Sequence, residues 1–441
     1  MEEKWQAKLK RLGVTKGARD LKLPENEAGT TRPTAGDGGA ARFQRSDDAE
    51  WDEAVPLDRL LPGLHLQTNS LGECQVQERV YPVSYRHGGH TLAELADYSH
   101  QAAGFHLDGL AADRPFRDYL FLDTETTGLA GANVVAFLVG VAYYDGDAFV
   151  VRQYFMRDFE DEAAMLELLA ALLADKAGLI TFNGRSFDVP LLESRYMMNR
   201  LDVHMGKLSA KPHLDLLHPA RRMWRARLGS CALTSLEDSL LAIERTEEDV
   251  PGWLIPRLYE DYLRSGDGRE LARVFYHNEI DLLSMASLGA RLLRQFDQPG
   301  QDDPTQDLVS LGRWQAHLQQ HKAAEASFRL ALQANDSSLA DFQQAAANLA
   351  MLLKRQERRD EAADLWRQIA VTSIDDVEAH VELAKHYEWH ANDLDAARRW
   401  TAAALALVNR WGTARRQLAE PELQHRLERL ERKLAGWDVS E

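Results

Sequence analysis

Residues 121–129 read FLDTETTGL. Asp123 closes an apolar run that begins at Tyr119, and Glu125 follows two positions later. In an extended chain, side chains i and i+2 lie on the same face, so this spacing presents two carboxylates together at the end of a strand. Carboxylates that close repel, and their pKa values rise unless a cation intervenes. An all-oxygen donor set suits hard cations such as Mg²⁺ or Mn²⁺. The plainer reading of the pair is two solvated acids in a turn.

Downstream, residues 136–156 (AFLVGVAYYDGDAFVVRQYFM) read as two strands joined at Asp145-Gly146, a strong hairpin signal. Residues 160–176 (EDEAAMLELLAALLADK) have helical spacing, 179–183 (LITFN) read as another strand, and 186–198 (SFDVPLLESRYMM) as a helix. Three antiparallel strands, a crossover helix and a strand able to pair in parallel predict an α/β domain with a mixed central sheet flanked by helices.

Further candidates lie on this frame. Asp188 follows the 179–183 strand and can open the next helix, where it would bind metal or serve as an N-cap. In the helical stretch 271–293, His277 and Asp281 stand at i and i+4 and so share a face. Histidine is suited to accepting a proton from water near neutral pH; the alternative is a helix-surface His.

Asp123-Thr-Glu125, Asn183-x3-Phe187-Asp188 and Tyr276-His277-x3-Asp281, in this order, resemble the DEDD-type (DnaQ-like) 3′–5′ exonucleases of the ribonuclease H-like fold. Within them the chain is most similar to the YprB-type family, supported by DLLHPARRMWR, SCALTSLE and DVPGWLIPRLY. The resemblance covers about 118–295, with a weaker lead-in from about 55, and implies a nuclease domain at 118–298 on which a lead-in segment, 51–117, would pack. It implies a phosphodiester hydrolase of single-stranded DNA or RNA 3′ ends. Asp123, Glu125, Asp188 and Asp281 would hold two Mg²⁺ or Mn²⁺ ions about 4 Å apart. Thr126, Thr127 and Leu129 would line the terminal-nucleotide pocket, and Asn183 and Phe187 would flank base or sugar. The family places its general base as a His five residues before the last Asp or a Tyr four before it. Here the types are exchanged, Tyr276 at minus five and His277 at minus four, and helical geometry and pKa favour His277, with Tyr276 the alternative.

Arg185, and the cluster Arg221, Arg222, Arg225 and Arg227, are phosphate candidates because guanidinium is planar and multidentate. Surface charge pairing is the competing reading. Asp215 reads as a supporting acid or a helix cap, and His213 and His218 as structural. His87 and His90, in HGGH, read as loop residues.

From about 305 strand signals stop. Ala324, Ala362 and Ala396 recur at spacings of 38 and 34. Each is followed four positions later by an aromatic (Phe328, Trp366, Trp400) and preceded by a Leu-small pair (Leu311-Gly312, Leu349-Ala350, Leu383-Ala384). This resembles tetratricopeptide repeats over roughly 305–410, in a domain of 305–441 closed by a capping helix, and implies a protein-binding surface. An adaptor with a weak or silent nuclease domain, or a structure-specific endonuclease on the same fold, therefore stands beside the exonuclease.

The 441 residues carry 52 Lys+Arg against 69 Asp+Glu, a formal net charge of −17, which argues against coating nucleic acid through bulk positive charge. Cys74 and Cys231 are too far apart for a zinc ribbon and read as reduced, buried thiols. No apolar run approaches membrane-spanning length and the N-terminus lacks an apolar signal core, so a soluble cytoplasmic protein is expected. Residues 1–50, poor in branched and aromatic residues, read as a largely disordered arm, with a short polar helix conceivable at 1–13.

Overall fold

The apolar run ending at Asp123 forms the central strand of the domain. The computed structural model describes residues 53–96, 98, 114–128, 134–201, 207–334, 337–373 and 375–436. The expectations for residues 1–50 and for Leu129 lie outside the described residues. Strands are β1 His65–Asn69, β2 Gly72–Pro82, β3 Tyr119–Thr126, β4 Ala136–Asp145, β5 Ala148–Phe155, β6 Gly178–Thr181 and β7 His213–Asp215. They form one seven-stranded sheet in the order β1-β2-β5-β4-β3-β6-β7. The first five are antiparallel neighbours, while β6 pairs in parallel with β3, and β7 with β6.

The predicted hairpin is present: Asp145 pairs with Ala148 across the turn and Gly146 has φ 56°. Helix α1 (Glu162–Asp175) makes the crossover to β6, and α2 (Asp188–Met198) begins at the second-motif aspartate. Strands β1 and β2, from the lead-in segment, extend the sheet at one edge. Strand β7 is only three residues long, too short to show a period in the sequence.

Helices α3 (Leu217–Leu228), α4 (Ile255–Ser265) and α5 (Arg269–Asp297) complete the layer. The 29-residue α5 is fixed by buried polar contacts as well as apolar packing. Ser284 meets His87 at 2.9 Å, Gln295 accepts from the Trp224 indole at 3.0 Å, and Glu279 accepts from Tyr81 and Arg79. His87 and His90 are therefore buried members of a small hairpin, Arg86–His87 with His90–Thr91, and not loop residues. Cys74 and Cys231 are buried free thiols.

Seven helices follow: α6 Thr305–His317, α7 His321–Gln333, α8 Leu339–Arg355, α9 Arg359–Thr372, α10 Val377–Trp389, α11 Leu394–Val408 and α12 Thr413–Leu434. The recurring Ala324, Ala362 and Ala396 are all buried, as are Phe328 and Trp366. Among the described residues no helix is long and apolar enough to cross a membrane.

Gly312 shows why the repeat pairs a small residue with an aromatic: a Cβ there would strike the Phe328 ring. Ala has the better helix propensity by about 1 kcal/mol, but overpacking a core costs about 1–3 kcal/mol. Gly312→Ala is expected to lower the midpoint of urea unfolding, whereas a raised midpoint would show that Phe328 can move aside.

Candidate active site

Strand β3 carries Asp123 and Glu125, and its pairing with β4 shifts register between Glu125 and Thr126. Such a bulge re-aims side chains at a strand end. Asp123 lies opposite Gly140 in β4. A Cβ at Gly140 would collide with the Asn278 amide of α5, so glycine lets the helix approach the sheet here. Asn278 Nδ2 donates to Asp123 Oδ2 at 2.8 Å, while its Oδ1 accepts from Gln153 Nε2 at 2.9 Å. Gln153 thereby fixes which end of the Asn278 amide faces the aspartate. A hydrogen bond to a charged group contributes about 1.5–3 kcal/mol.

Asp188 sits at the first turn of α2 and accepts from Thr124 Oγ1 at 2.5 Å. Asn183, in the turn before it, has φ 68°, the left-handed region that Asn tolerates better than most residues. Asp215, at the end of β7, accepts from the backbone N–H groups of Asn183 (2.8 Å), Arg185 (3.1 Å) and Leu217 (3.1 Å). One carboxylate thus fixes the second-motif turn and also caps α3. His213 is buried against Thr181 at 2.8 Å, and burial lowers its pKa to about 4, a structural role.

His277 and Asp281 come from α5, with His277 Nε2 3.7 Å from Asp281 Oδ2. His277 Nδ1 lies 2.7 Å from Asp249 Oδ1 and 3.1 Å from Arg245 Nη1, which leaves Nε2 toward the acids. Tyr276, by contrast, accepts a long 3.4 Å bond from the Thr246 backbone. Arg245, which the sequence pattern did not single out, is nearly enclosed by acids. It pairs with both oxygens of buried Glu237 (2.6 and 2.7 Å), approaches Asp249 at 3.4 Å and donates to Asp281. It is aimed there by a π-helical turn, Glu237–Leu241, that ends at Ala242 with φ 54°. The Gly89 N–H donates to Leu241 O at 2.9 Å, so the HGGH hairpin supports the same turn.

The electrostatics reflect this crowding. Burial, then the Asp281, Glu125 and Asp188 charges, hold the Asp123 carboxyl well above its ordinary range. Burial pushes Glu125 up to about 7 against the pull of His277 and Arg245, and pushes Asp188 up to about 6 against its Thr124 hydrogen bond. Asp281 is also raised by burial, opposed by His277 and Arg245. For His277, burial disfavours the imidazolium, but the Asp249 hydrogen bond and the Asp281 and Glu125 charges outweigh it and raise the pKa to about 9.

These four acids act on one another through their charges. They do not close into a cation cage: among the described residues no three His, Cys, Asp or Glu side chains form one. The cause is local, because Asp123 is held by Asn278, Asp188 by Thr124 and Asp281 by Arg245. The donor chemistry still fits a hard divalent cation, being oxygen-only with carboxyls raised by burial and mutual charge.

The remaining candidates are placed unevenly. The Thr126 hydroxyl donates to Gly128 O at 2.7 Å, and that of Thr127 accepts from Val135 N at 3.1 Å, so both shape the turn after β3. Phe187 is exposed beside Asp188. Arg185 is exposed, with one nitrogen on His213 O at 2.8 Å. Arg227 is committed elsewhere, bidentate to Asp307 of α6 at 2.8 Å, and is withdrawn from the phosphate candidates.

Residues 120–293 match the profile of a family in the RNase_H superfamily. The chain is 30% identical over 327 residues to "Uncharacterized protein YprB" of Bacillus subtilis (strain 168), a match spanning 71% of this chain and 76% of that protein. It is also similar to the solved family B DNA polymerase of the hyperthermophilic archaeon Pyrobaculum calidifontis, at 15% identity and TM-score 0.33, over 54% of this chain and 29% of the polymerase. The chain thus spans less than a third of that polymerase.

A carboxyl whose pKa is raised by folding contributes stability below its unfolded pKa and loses it as pH rises through the folded value. Asp188 has an ordinary value of 3.8 and a folded one of about 6. In EDTA, Asp188→Asn is expected to gain stability relative to the parent as pH rises from about 4 through about 6. Saturating Mn²⁺ should favour the parent instead. Melting temperatures across pH check this, and a pH-independent difference would count against it.

Proposed function

Because the chain belongs to the YprB family and carries an RNase H superfamily domain over residues 120–293, we propose that it is a metal-dependent 3′–5′ exonuclease acting on single-stranded DNA or RNA. The observation that carries this reading is the meeting of Asp123, Glu125, Asp188 and Asp281, from β3, α2 and α5, beside an imidazole oriented by Asp249. Asp123, Glu125 and Asp188 would hold Mg²⁺ or Mn²⁺, and Asp281 would help hold a second ion only on giving up its contact with Arg245. Such ions stabilise the charge that develops in an in-line displacement at phosphorus.

The protein's own groups have distinct tasks in this reading. His277 Nε2 takes a proton from the attacking water while Asp249 retains the one on Nδ1. Water oxygen bonds to phosphorus as the P–O3′ bond breaks, releasing a nucleoside 5′-monophosphate and a shortened strand with a new 3′-hydroxyl. Phe187 offers an exposed ring for stacking on the terminal base, next to Asn183, and Thr126, Thr127 and Leu129 flank the end of the strand. Helices α6–α12, read as tetratricopeptide-like, would serve a protein partner.

Arg245 favours a second reading. A guanidinium already neutralising Asp281 is what a weak or silent nuclease would retain, leaving the helical repeats as the working part of an adaptor.

Single-stranded DNA and RNA oligomers labelled separately at each end, incubated with Mg²⁺, Mn²⁺ or EDTA, separate these readings. The exonuclease predicts metal-dependent ladders from the 5′ label and early mononucleotide release from the 3′ label. Internal fragments would indicate an endonuclease, and intact polymers would favour the adaptor. His277→Ala is expected to slow hydrolysis by roughly 10²–10⁴-fold, the usual contribution of a general base. The base must be deprotonated, so the rate should rise with pH along a limb above His's ordinary 6.5. Asp249→Asn, by removing the hydrogen bond that raises the imidazole, should move that limb to lower pH; an unmoved limb would exclude His277 as its origin.

A further inference from the structure

Helix α3 divides into two unlike faces. Leu217, Ala220, Met223 and Trp224 are buried, while His218, Arg221, Arg222 and Arg225 are exposed at i, i+3, i+4 and i+7. That spacing makes one stripe along the helix. Of the twelve helices α1–α12, α3 alone has no Asp or Glu in its sequence, LHPARRMWRARL, in a chain where acids outnumber Lys and Arg.

Arginines on some other helices meet acids within one turn: Arg264 meets Glu260 and Asp261, Arg358 meets Glu361, and Arg416 meets Glu420. Among the described residues none of Arg221, Arg222 and Arg225 has an ion pair, and Arg222 only faces the Trp314 ring at 5.8 Å. Arg227, off the stripe, is the one arginine of the helix neutralised by an acid. Like charges at i and i+4 cost a helix a few tenths of a kcal/mol, so Arg221 and Arg225 have an unfavourable arrangement with no internal compensation.

The stripe also starts at the candidate active site. Asp215 binds Leu217 N, the first residue of α3, together with Asn183 N and Arg185 N of the second-motif turn. Exposed Arg185 belongs to that turn, with one guanidinium nitrogen on His213 O at 2.8 Å. From His218 to Arg225 the helix rises about 10 Å. Along this length a guanidinium can make planar, bidentate contacts to phosphate oxygens.

We propose that Arg185 and the α3 stripe of His218, Arg221, Arg222 and Arg225 form a track for the sugar-phosphate backbone of a single strand whose 3′ end lies at the acids. This rests on the exonuclease reading and adds where the rest of the substrate runs. Net repulsion from an acidic protein makes such a local track necessary to hold a polyanion. The contacts are to phosphate, so the track does not read sequence.

The test compares the full-length parent with R221Q/R222Q/R225Q and, as a charge-keeping control, R221K/R222K/R225K. Fluorescence anisotropy of a labelled 20-nucleotide single strand in EDTA, across a salt series, reads binding without cleavage. Each phosphate contact to a single strand contributes about 0.7 to the slope of log K against log salt, so the Gln variant should lose about 2 from the slope. That corresponds to about 100-fold of affinity for each tenfold change in salt. The Lys variant should keep the slope.

In parallel, Mn²⁺-dependent hydrolysis of a dinucleotide, which has one internucleotide phosphate and so none to lay along the stripe, should be the same in all three proteins. An unchanged slope in the Gln variant overturns the track. Equal loss of dinucleotide hydrolysis and 20-nucleotide binding in that variant also overturns it, by locating the arginines in the site itself. No dinucleotide hydrolysis by the parent, with a slope that still falls, would sink the exonuclease reading and leave the strand-binding surface standing.

Discussion

Four carboxylates in a partly buried corner repel one another, and most of the surrounding architecture bears on that repulsion. Arg245 and His277 supply positive charge, while Asn278 and Thr124 supply hydrogen bonds. Their placement depends on α5 lying close against the sheet, which Gly140 allows by having no side chain. It also depends on the π-helical turn that aims Arg245, itself supported by the buried hairpin at residues 86–91. Features far apart in sequence, from His87 to Ser284, serve one electrostatic condition.

Arginine is divided between two tasks. Arg245 is enclosed by acids and fixes the inside of the site, whereas Arg221, Arg222 and Arg225 face outward and make no ion pair among the described residues. An acidic chain can handle nucleic acid only if charge is sorted in this way, with negative charge where cations are wanted and positive charge where phosphates would lie. Net charge alone would have concealed both poles.

The sheet's centre was legible because its signals are local. The Asp145-Gly146 turn, the apolar run into Asp123 and the helix opening at Asp188 each fit within a few residues. Asp123 and Glu125 were legible as a pair through i, i+2 spacing and Asp281 beside His277 through i, i+4, whereas joining Asp188 to them took the resemblance. Arg245 was not, because its position is set by a left-handed Ala242 and by Glu237, and neither carries a periodic signal. Asn278 stood beside His277 in the sequence, but only the approach of Gly140 and Gln153 reveals its task. The burial of His87 and the pairing of Arg227 with Asp307 likewise depend on partners 197 and 80 positions away.

That last pair has a mechanical consequence. Arg227 grips Asp307 with two bonds, and Leu311 and Trp314 of α6 share one apolar core with Met223 and Trp224 of α3. The helical array is therefore clamped at its first helix like a cantilever, not hung from a swivel. A load at its free end becomes torque on α3, whose other end is tied through Asp215 to the turn carrying Asn183 and Arg185. Tension on the repeats and the aim of the second-motif turn are two ends of a single lever.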